Sequence, residues 1–351
     1  MPGRHAATGD DAVSQRGWWS GLGLELAWLG GCAPLAARLC GGAGVILRFE
    51  RVRPARPGDF QPFKARAITP QKLDRLIGRL QRWKFDIVGI DEACRRAGQP
   101  RTGRRFVCLT FDGAHRDMID YAYPVLARHR VPFTLYLPTA FADGLGEAWW
   151  LGLEAVIERH DRIRLMIDHR ERDFACSDAA EKIQAHHYLD SWLRTLPPPA
   201  LSVAINDLCA RYSVDLAGLT RAAVMTWDAL APLIANPRVT IGTSTVHCPI
   251  LANLTDAEAL REITMGRAVA EAALGRDSLH LAFPFGDRAS FDARHRRMAA
   301  GAGFASAVTS IAGVVQANGK SDLYALPRID WDSRRSLRAW RVKLSGLMVG
   351  G

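Results

Sequence analysis

The sequence predicts an α/β fold in which a parallel sheet is covered by helices. Three observations predict it. Compact apolar runs alternate with amphipathic helical stretches between residues 44 and 137, an order that builds parallel strands with covering helices. The same alternation resumes after residue 239. The strands are continuous apolar runs, as in Phe106–Phe111 (FVCLTF), rather than alternating ones, and this is the pattern of a sheet buried on both faces.

In chain order, residues 1–16 are polar and rich in small residues, and are expected to be disordered. Residues 20–40 read as one or two short helices ended by Gly41-Gly42, and Gly44–Phe49 (GVILRF) as a buried strand. A proline-rich loop runs from Arg53 to Pro62. Thr69 then caps a helix that has Pro70 at its first position and Leu73, Leu76, Ile77 and Leu80 on one face. Phe85–Ile90 is read as a strand, Asp91–Ala97 as a helix, and Phe106–Phe111 as the clearest strand of the chain. A helix carrying Tyr121, Val125 and Leu126 follows, then a strand at Val131–Leu137. Residues 146–235 read as a helical insertion with a proline stop at Pro197-Pro198-Pro199 and one candidate strand, Ile163–Ile167. Strands return at Val239–Gly242, Leu279–Phe283 and Ala305–Thr309, separated by helices at Asp256–Leu274 and Phe291–Gly301. The expected organisation is therefore an N-terminal segment (1–43), a main domain (44–332) and a basic tail (333–351).

Composition narrows the function classes. At 351 residues, 48% apolar and 23% charged, the chain is globular and long enough to bury its core without disulfide staples. Its seven cysteines are odd in number and include no CxxC pair, which argues against a zinc knuckle or a disulfide framework and for a reducing compartment. The net charge of +10 is spread along the chain, so it selects no nucleic acid in particular. Residues 17–47 are apolar, but Glu25 and Arg38 break the span that a membrane crossing needs. Packing on the domain is the preferred reading, with an amphipathic membrane contact left open. The tail sets Leu337, Trp340 and Leu344 at helical spacing among arginines. It reads as a helix docked by Trp340 or, second, as a basic membrane-contact helix. A cytoplasmic location, with peripheral inner-membrane contact as the variant, is expected. Gly41-Gly42-Ala43-Gly44 lacks the lysine of a phosphate loop and precedes a strand, so it is not read as one.

Residues 109–117 (LTFDGAHRD) resemble the first signature of polysaccharide deacetylases, LTFDDGYRD. Residues 240–251 (TIGTSTVHCPIL) are similar to the second, IGxHTxxHPxL, and 281–286 (LAFPFG) to the third, FAYPYG. Residues 49–54 (FERVRP) look like the opening FHRVRP, and Leu326-Pro327-Arg328-Ile329 fits the closing element. The resemblance covers about residues 44–332 and implies a distorted, NodB-like (β/α) barrel of about seven strands with a helical insertion. It also implies carbohydrate as the partner, and a divalent metal held by one Asp and two His, with a second Asp as general base. Such a metal polarises the acetamide carbonyl and acidifies water.

The departures from that pattern fall on its polar positions. Asp112 keeps the general-base position, whereas the metal-binding positions correspond to Gly113, Ser244 and Cys248, and the His of FHRV to Glu50. No LxH general-acid motif is found near the carboxyl terminus. Glycine donates nothing and serine binds zinc-like ions weakly, so no metal is expected at those positions and turnover should be weak or lost. An active N- or O-deacetylase needs a rearranged site for a zinc-like ion, drawn from Asp112, His115, His247, Cys248 and Glu50. Against it, residues 247 and 248 should point to opposite sides if that segment is extended. A Cys248 nucleophile assisted by adjacent His247 is weaker still. A third reading is a noncatalytic, membrane-associated component of cell-surface polysaccharide synthesis. Trp149 and Trp150 are read as helix packing before sugar stacking.

Overall fold

The structure is a computed structural model that describes residues 41–101, 103–168 and 170–346. The expectations for residues 1–16 and 20–40, and for the last five residues, lie outside the described residues.

The first described elements are β1 (Gly44–Phe49) and a short parallel pair, β2 (Arg51–Val52) and β3 (Ala67–Ile68). It then alternates through α1 (Pro70–Arg82), β4 (Asp86–Val88), α2 (Ile90–Gly98), β5 (Phe106–Asp112), α3 (Tyr123–His129) and β6 (Phe133–Leu137). A largely helical stretch comes next: α4 (Thr139–Ala142), α5 (Trp149–Arg159), β7 (Arg162–Ile167), β8 (Arg170–Ala175), α6 (Ala179–Leu193), α7 (Pro198–Arg211), α8 (Leu216–Ala223) and α9 (Trp227–Ile234). The alternation then resumes with β9 (Val239–Thr243), α10 (Asp256–Leu274), β10 (His280–Ala282), α11 (Ala293–Gly301), β11 (Ser306–Val308) and β12 (Ile329–Asp330), and α12 (Leu337–Leu344) closes it.

Seven strands run in the order β12–β1–β5–β6–β9–β10–β11, and every pairing is parallel. β4 pairs with the first half of β5, on the edge that β6 takes further along. Leu326, just before β12, bridges to Val308 of β11, so the sheet curls until its ends approach each other. This is the distorted (β/α) barrel.

Local sequence explains the elements. The Thr69 hydroxyl accepts from the Lys72 amide at 3.2 Å, and Pro70 opens α1, whose Leu73, Leu76, Ile77 and Leu80 are fully buried. Such a cap contributes about 1 kcal/mol, and burying each leucine or isoleucine about 1.5–3 kcal/mol. β1 and β5 are buried along almost their whole length, as strands inside a covered parallel sheet must be. Trp340 is wholly buried and stacks on Trp331, with ring centroids 4.8 Å apart, which docks α12 on the domain. Among the described residues, no helix is long and apolar enough to cross a membrane.

The stretch between β6 and β9 corrects one expectation. It contains a β-hairpin, with β7 paired antiparallel to β8, where the sequence offered only the first strand. β7 alternates buried and exposed residues, whereas β8 (RERDFA) is almost wholly exposed and carries no apolar alternation to reveal it. Helices α5 to α8 and the hairpin enclose a core of their own around Leu153, Val156, Ile163, Leu189, Ile205 and Leu208. In contrast, Leu230 and Leu233 of α9 pack into the barrel core.

Candidate functional site

Parallel strands deliver their carboxyl ends to one rim of the barrel, where side chains from several strands can meet. β1 brings Arg48 and then Glu50; β5 brings Asp112, followed by Gly113 and His115; β9 leads to Ser244 and Cys248; β12 ends at Asp330. All eight line one open cavity of about 220 Å³. The resemblance to the deacetylase signatures, which matches Gly113, Ser244 and Cys248 to the metal-binding positions, implies that the three converge, and all three line this cavity.

Asp112 is held from two sides. Arg328, fully buried, donates from both terminal nitrogens to the two carboxylate oxygens at 2.6 and 2.8 Å. Arg48 donates from Nε at 2.5 Å. Arg48 also reaches Glu50 at 2.7 Å and Asp330 at 3.3 Å, while Arg328 anchors itself on the Thr309 carbonyl at 2.7 Å. Burial pushes the Asp112 carboxyl pKa up, but Arg328 and then Arg48 outweigh it and hold it below the usual carboxylate range. The same contest, won by Arg48 and Arg66, lowers Glu50. A carboxylate stabilised as the anion by two guanidiniums is a poor proton acceptor.

Gly113 follows in a left-handed conformation, φ +86°, and its amide continues the ladder to the Tyr136 carbonyl at 2.8 Å. A β-carbon on it would meet the His115 ring at 3.0–3.1 Å. The imidazole thus occupies the space into which a side chain at position 113 would project. Burial, then Arg51 and Arg53, drives the His115 pKa well below that of a free imidazole, so the ring is neutral. Its Nδ1 is buried without a hydrogen-bond partner among the described residues.

Ser244 extends β9 through its amide to the Leu137 carbonyl, and its hydroxyl donates to the Ala282 carbonyl at 3.1 Å. The loop after it is tight: Thr245 and Cys248 both have φ near +60°. Glu262 of α10 holds this loop, accepting from the amides of Val246 and His247 at 3.0 Å and from His247 Nδ1 at 2.7 Å. Gly266, one turn further along α10, lets the helix approach closely; a β-carbon there would stand 2.7 Å from the Thr245 backbone. His247 consequently faces outward, 61% exposed, and does not line the cavity. Cys248 faces inward, and burial pushes its thiol up to about 12. Adjacent residues on opposite sides separate the two members of the rearranged site weighed from the sequence.

A divalent ion with three protein ligands and one open position is poorly served by this donor set. Gly113 offers no atom, the Ser244 hydroxyl is committed to a carbonyl, and the Cys248 thiol resists becoming thiolate. Asp112 already has two cations on it. Among the described residues, no three His, Cys, Asp or Glu side chains are grouped to hold a metal ion.

The opposite wall comes from outside the barrel strands. Phe141, Trp150 and Leu151 supply apolar surface, with Trp150 stacked on Phe141 at 5.8 Å. Trp149 is buried in the helical core, so the sequence expectation of helix packing describes Trp149, while Trp150 also faces the cavity. Arg194 lies over the Phe285 ring at 4.7 Å and pairs with Asp287 at 2.5 Å. Sequence reading missed Arg48 and Arg328. The signal for Arg48 was present, because an arginine inside the apolar run GVILRF must find an anion once buried.

No protein-family model matches this sequence, and no curated protein does. Solved structures do match its fold. Streptococcus pyogenes deacetylase PplD, in complex with acetate, is 15% identical, covers 81% of this chain and 90% of its own, and superposes with a TM-score of 0.53. IcaB from Ammonifex degensii is 15% identical, with 87% and 97% covered and a TM-score of 0.53. A de-N-acetylase from Aggregatibacter actinomycetemcomitans is 11% identical, with 86% and 99% covered and a TM-score of 0.52. The fold is that of NodB-like polysaccharide deacetylases.

Proposed function

We propose, from the premise of a polysaccharide-deacetylase fold, that this protein binds N-acetylated carbohydrate in its cavity and does not hydrolyse it. One observation carries the reading: Asp112 accepts hydrogen bonds from Arg328 and Arg48 on both of its oxygens, which holds the carboxylate as a weakly basic anion at the general-base position. The ligand-poor positions beside it, Gly113, Ser244 and Cys248, support the same conclusion. The carbohydrate part rests on the fold, on the deacetylases that share it, and on the open cavity with an aromatic wall.

The test uses the purified full chain. Metal content is measured by mass spectrometry, and acetate release from N-acetylated oligosaccharides by an enzymatic assay with and without added zinc. Binding of the same oligosaccharides is measured by calorimetry. Binding without acetate release is expected. Acetate release that disappears in Asp112→Asn would overturn the proposal and restore Asp112 as a base.

A further inference from the structure

Five arginines line the cavity, and four of them are answered by carboxylates: Arg48 by Asp112 and Glu50, Arg51 by Asp117 at 2.6 Å, Arg66 by Glu50 at 3.3 Å, and Arg194 by Asp287. Arg53 is not. It is half-buried; its amide donates to the Ile68 carbonyl at 3.0 Å, but among the described residues no carboxylate lies within ion-pair distance of its guanidinium. The neighbouring carboxylate Glu154 pairs with Arg56 at 3.6 Å and, like Asp117, acts on Arg53 only from beyond ion-pair distance.

We infer that the cavity takes an acidic sugar, whose carboxylate or phosphate sits on Arg53 and whose ring lies against the aromatic wall that includes Phe63 and Trp150. This rests on the carbohydrate-binding reading above. Three physical points support it. A guanidinium partly withdrawn from water without a directly paired counter-ion is costly, and an incoming anion lowers that cost. Burial, then Arg51 and Arg56, lowers the Arg53 pKa against the opposing pull of Glu154 and Asp117. The planar fork of an arginine accepts two oxygens of a carboxylate or phosphate at once, while an aromatic face receives the apolar side of a sugar ring. A neutral sugar would leave the guanidinium as it is.

The test measures affinity of the full chain by calorimetry for three probes: chitotetraose (neutral), hyaluronan tetrasaccharide (carboxylate) and N-acetylglucosamine 6-phosphate. The acidic tetrasaccharide or the phosphosugar is expected to bind about tenfold tighter than chitotetraose at low salt, the gain of one charge-assisted contact. Whichever acidic probe binds tighter identifies the anion. Added salt should narrow the preference. Arg53→Gln should abolish it, whereas Arg53→Lys should retain part of it. Equal binding of neutral and acidic probes, or a preference that survives Arg53→Gln, overturns this inference alone. Binding of none of the three overturns the carbohydrate reading with it.

Discussion

Replacing Asp112 with asparagine separates a structural carboxylate from a catalytic one. The substitution keeps shape and removes charge. It leaves Arg328, with no exposed surface, and Arg48, 9% exposed, facing an amide. Three charge-assisted hydrogen bonds become neutral ones, and one of the amide's two polar atoms presents hydrogens to guanidinium hydrogens. Removing one partner from a buried ion cluster costs about 3–5 kcal/mol. Arg48 keeps Glu50 and Asp330, so the lower end of that range applies to its share, while Arg328 loses the one carboxylate that pairs with it among the described residues. With an unfolding entropy of about 2 cal/mol/K per residue over 351 residues, the loss is a fall in Tm of about 4–7 °C. Urea unfolding followed by tryptophan fluorescence, with the chain's ten tryptophans as reporters, gives the free energy directly. A general base held in reserve for chemistry is commonly destabilising, so Asp112→Asn would then be neutral or stabilising. A change smaller than about 0.5 kcal/mol, within the range of ordinary surface substitutions, would refute the clamp.

Two further outcomes follow from the geometry. Gly113→Asp, Ser244→His and Cys248→His together should fail to bind zinc, because the His115 ring blocks the new side chain at 113; adding His115→Ala should raise zinc binding, read as stoichiometry by mass spectrometry, and equal zinc content in both variants would disprove the blocking role. His186 is buried against Phe60 and Phe63, and burial, then His187 and Arg66, lowers its pKa to about 4. The unfolded chain therefore takes up a proton near pH 6.5 that the folded chain refuses. Stability is lost as pH falls from about 6.5 toward 4, up to about 3 kcal/mol from this one group. His186→Leu should lose less Tm than the parent between pH 7.5 and 5, and equal losses would exclude the assignment.

How far the sequence spoke depended on the range of the interaction. Phe106–Phe111 announces a buried strand because hydrophobic continuity is local, and Thr69-Pro70 announces a helix start because a cap spans three residues. The gathering of Gly113, Ser244 and Cys248 was legible from the resemblance to the deacetylase signatures. β8 was not legible, since an exposed polar strand has no periodic signature and is held by its partner β7. The arginine clamp was hidden for another reason. Arg328 and Asp112 are 216 residues apart, and Arg48 and Asp330 are 282 apart; nothing near either arginine says which anion it will meet. The opposite facing of His247 and Cys248 was anticipated on the condition of an extended backbone, whereas it arises in a tight loop with Thr245 and Cys248 at positive φ, gripped by Glu262 where α10 approaches through Gly266.

The helices α5 to α8 enclose hydrophobic matter of their own, yet Trp150, Leu151, Glu154 and Arg194 from that unit wall the barrel's cavity. A cooperative unit with a separate core can open while the rest stays shut, and amide-hydrogen exchange reads that opening segment by segment. Any occupant of the cavity touches both units, so it would slow exchange most in the smaller one, far from the strands it rests on. The barrel would supply the floor, and the helical unit would register that something has arrived.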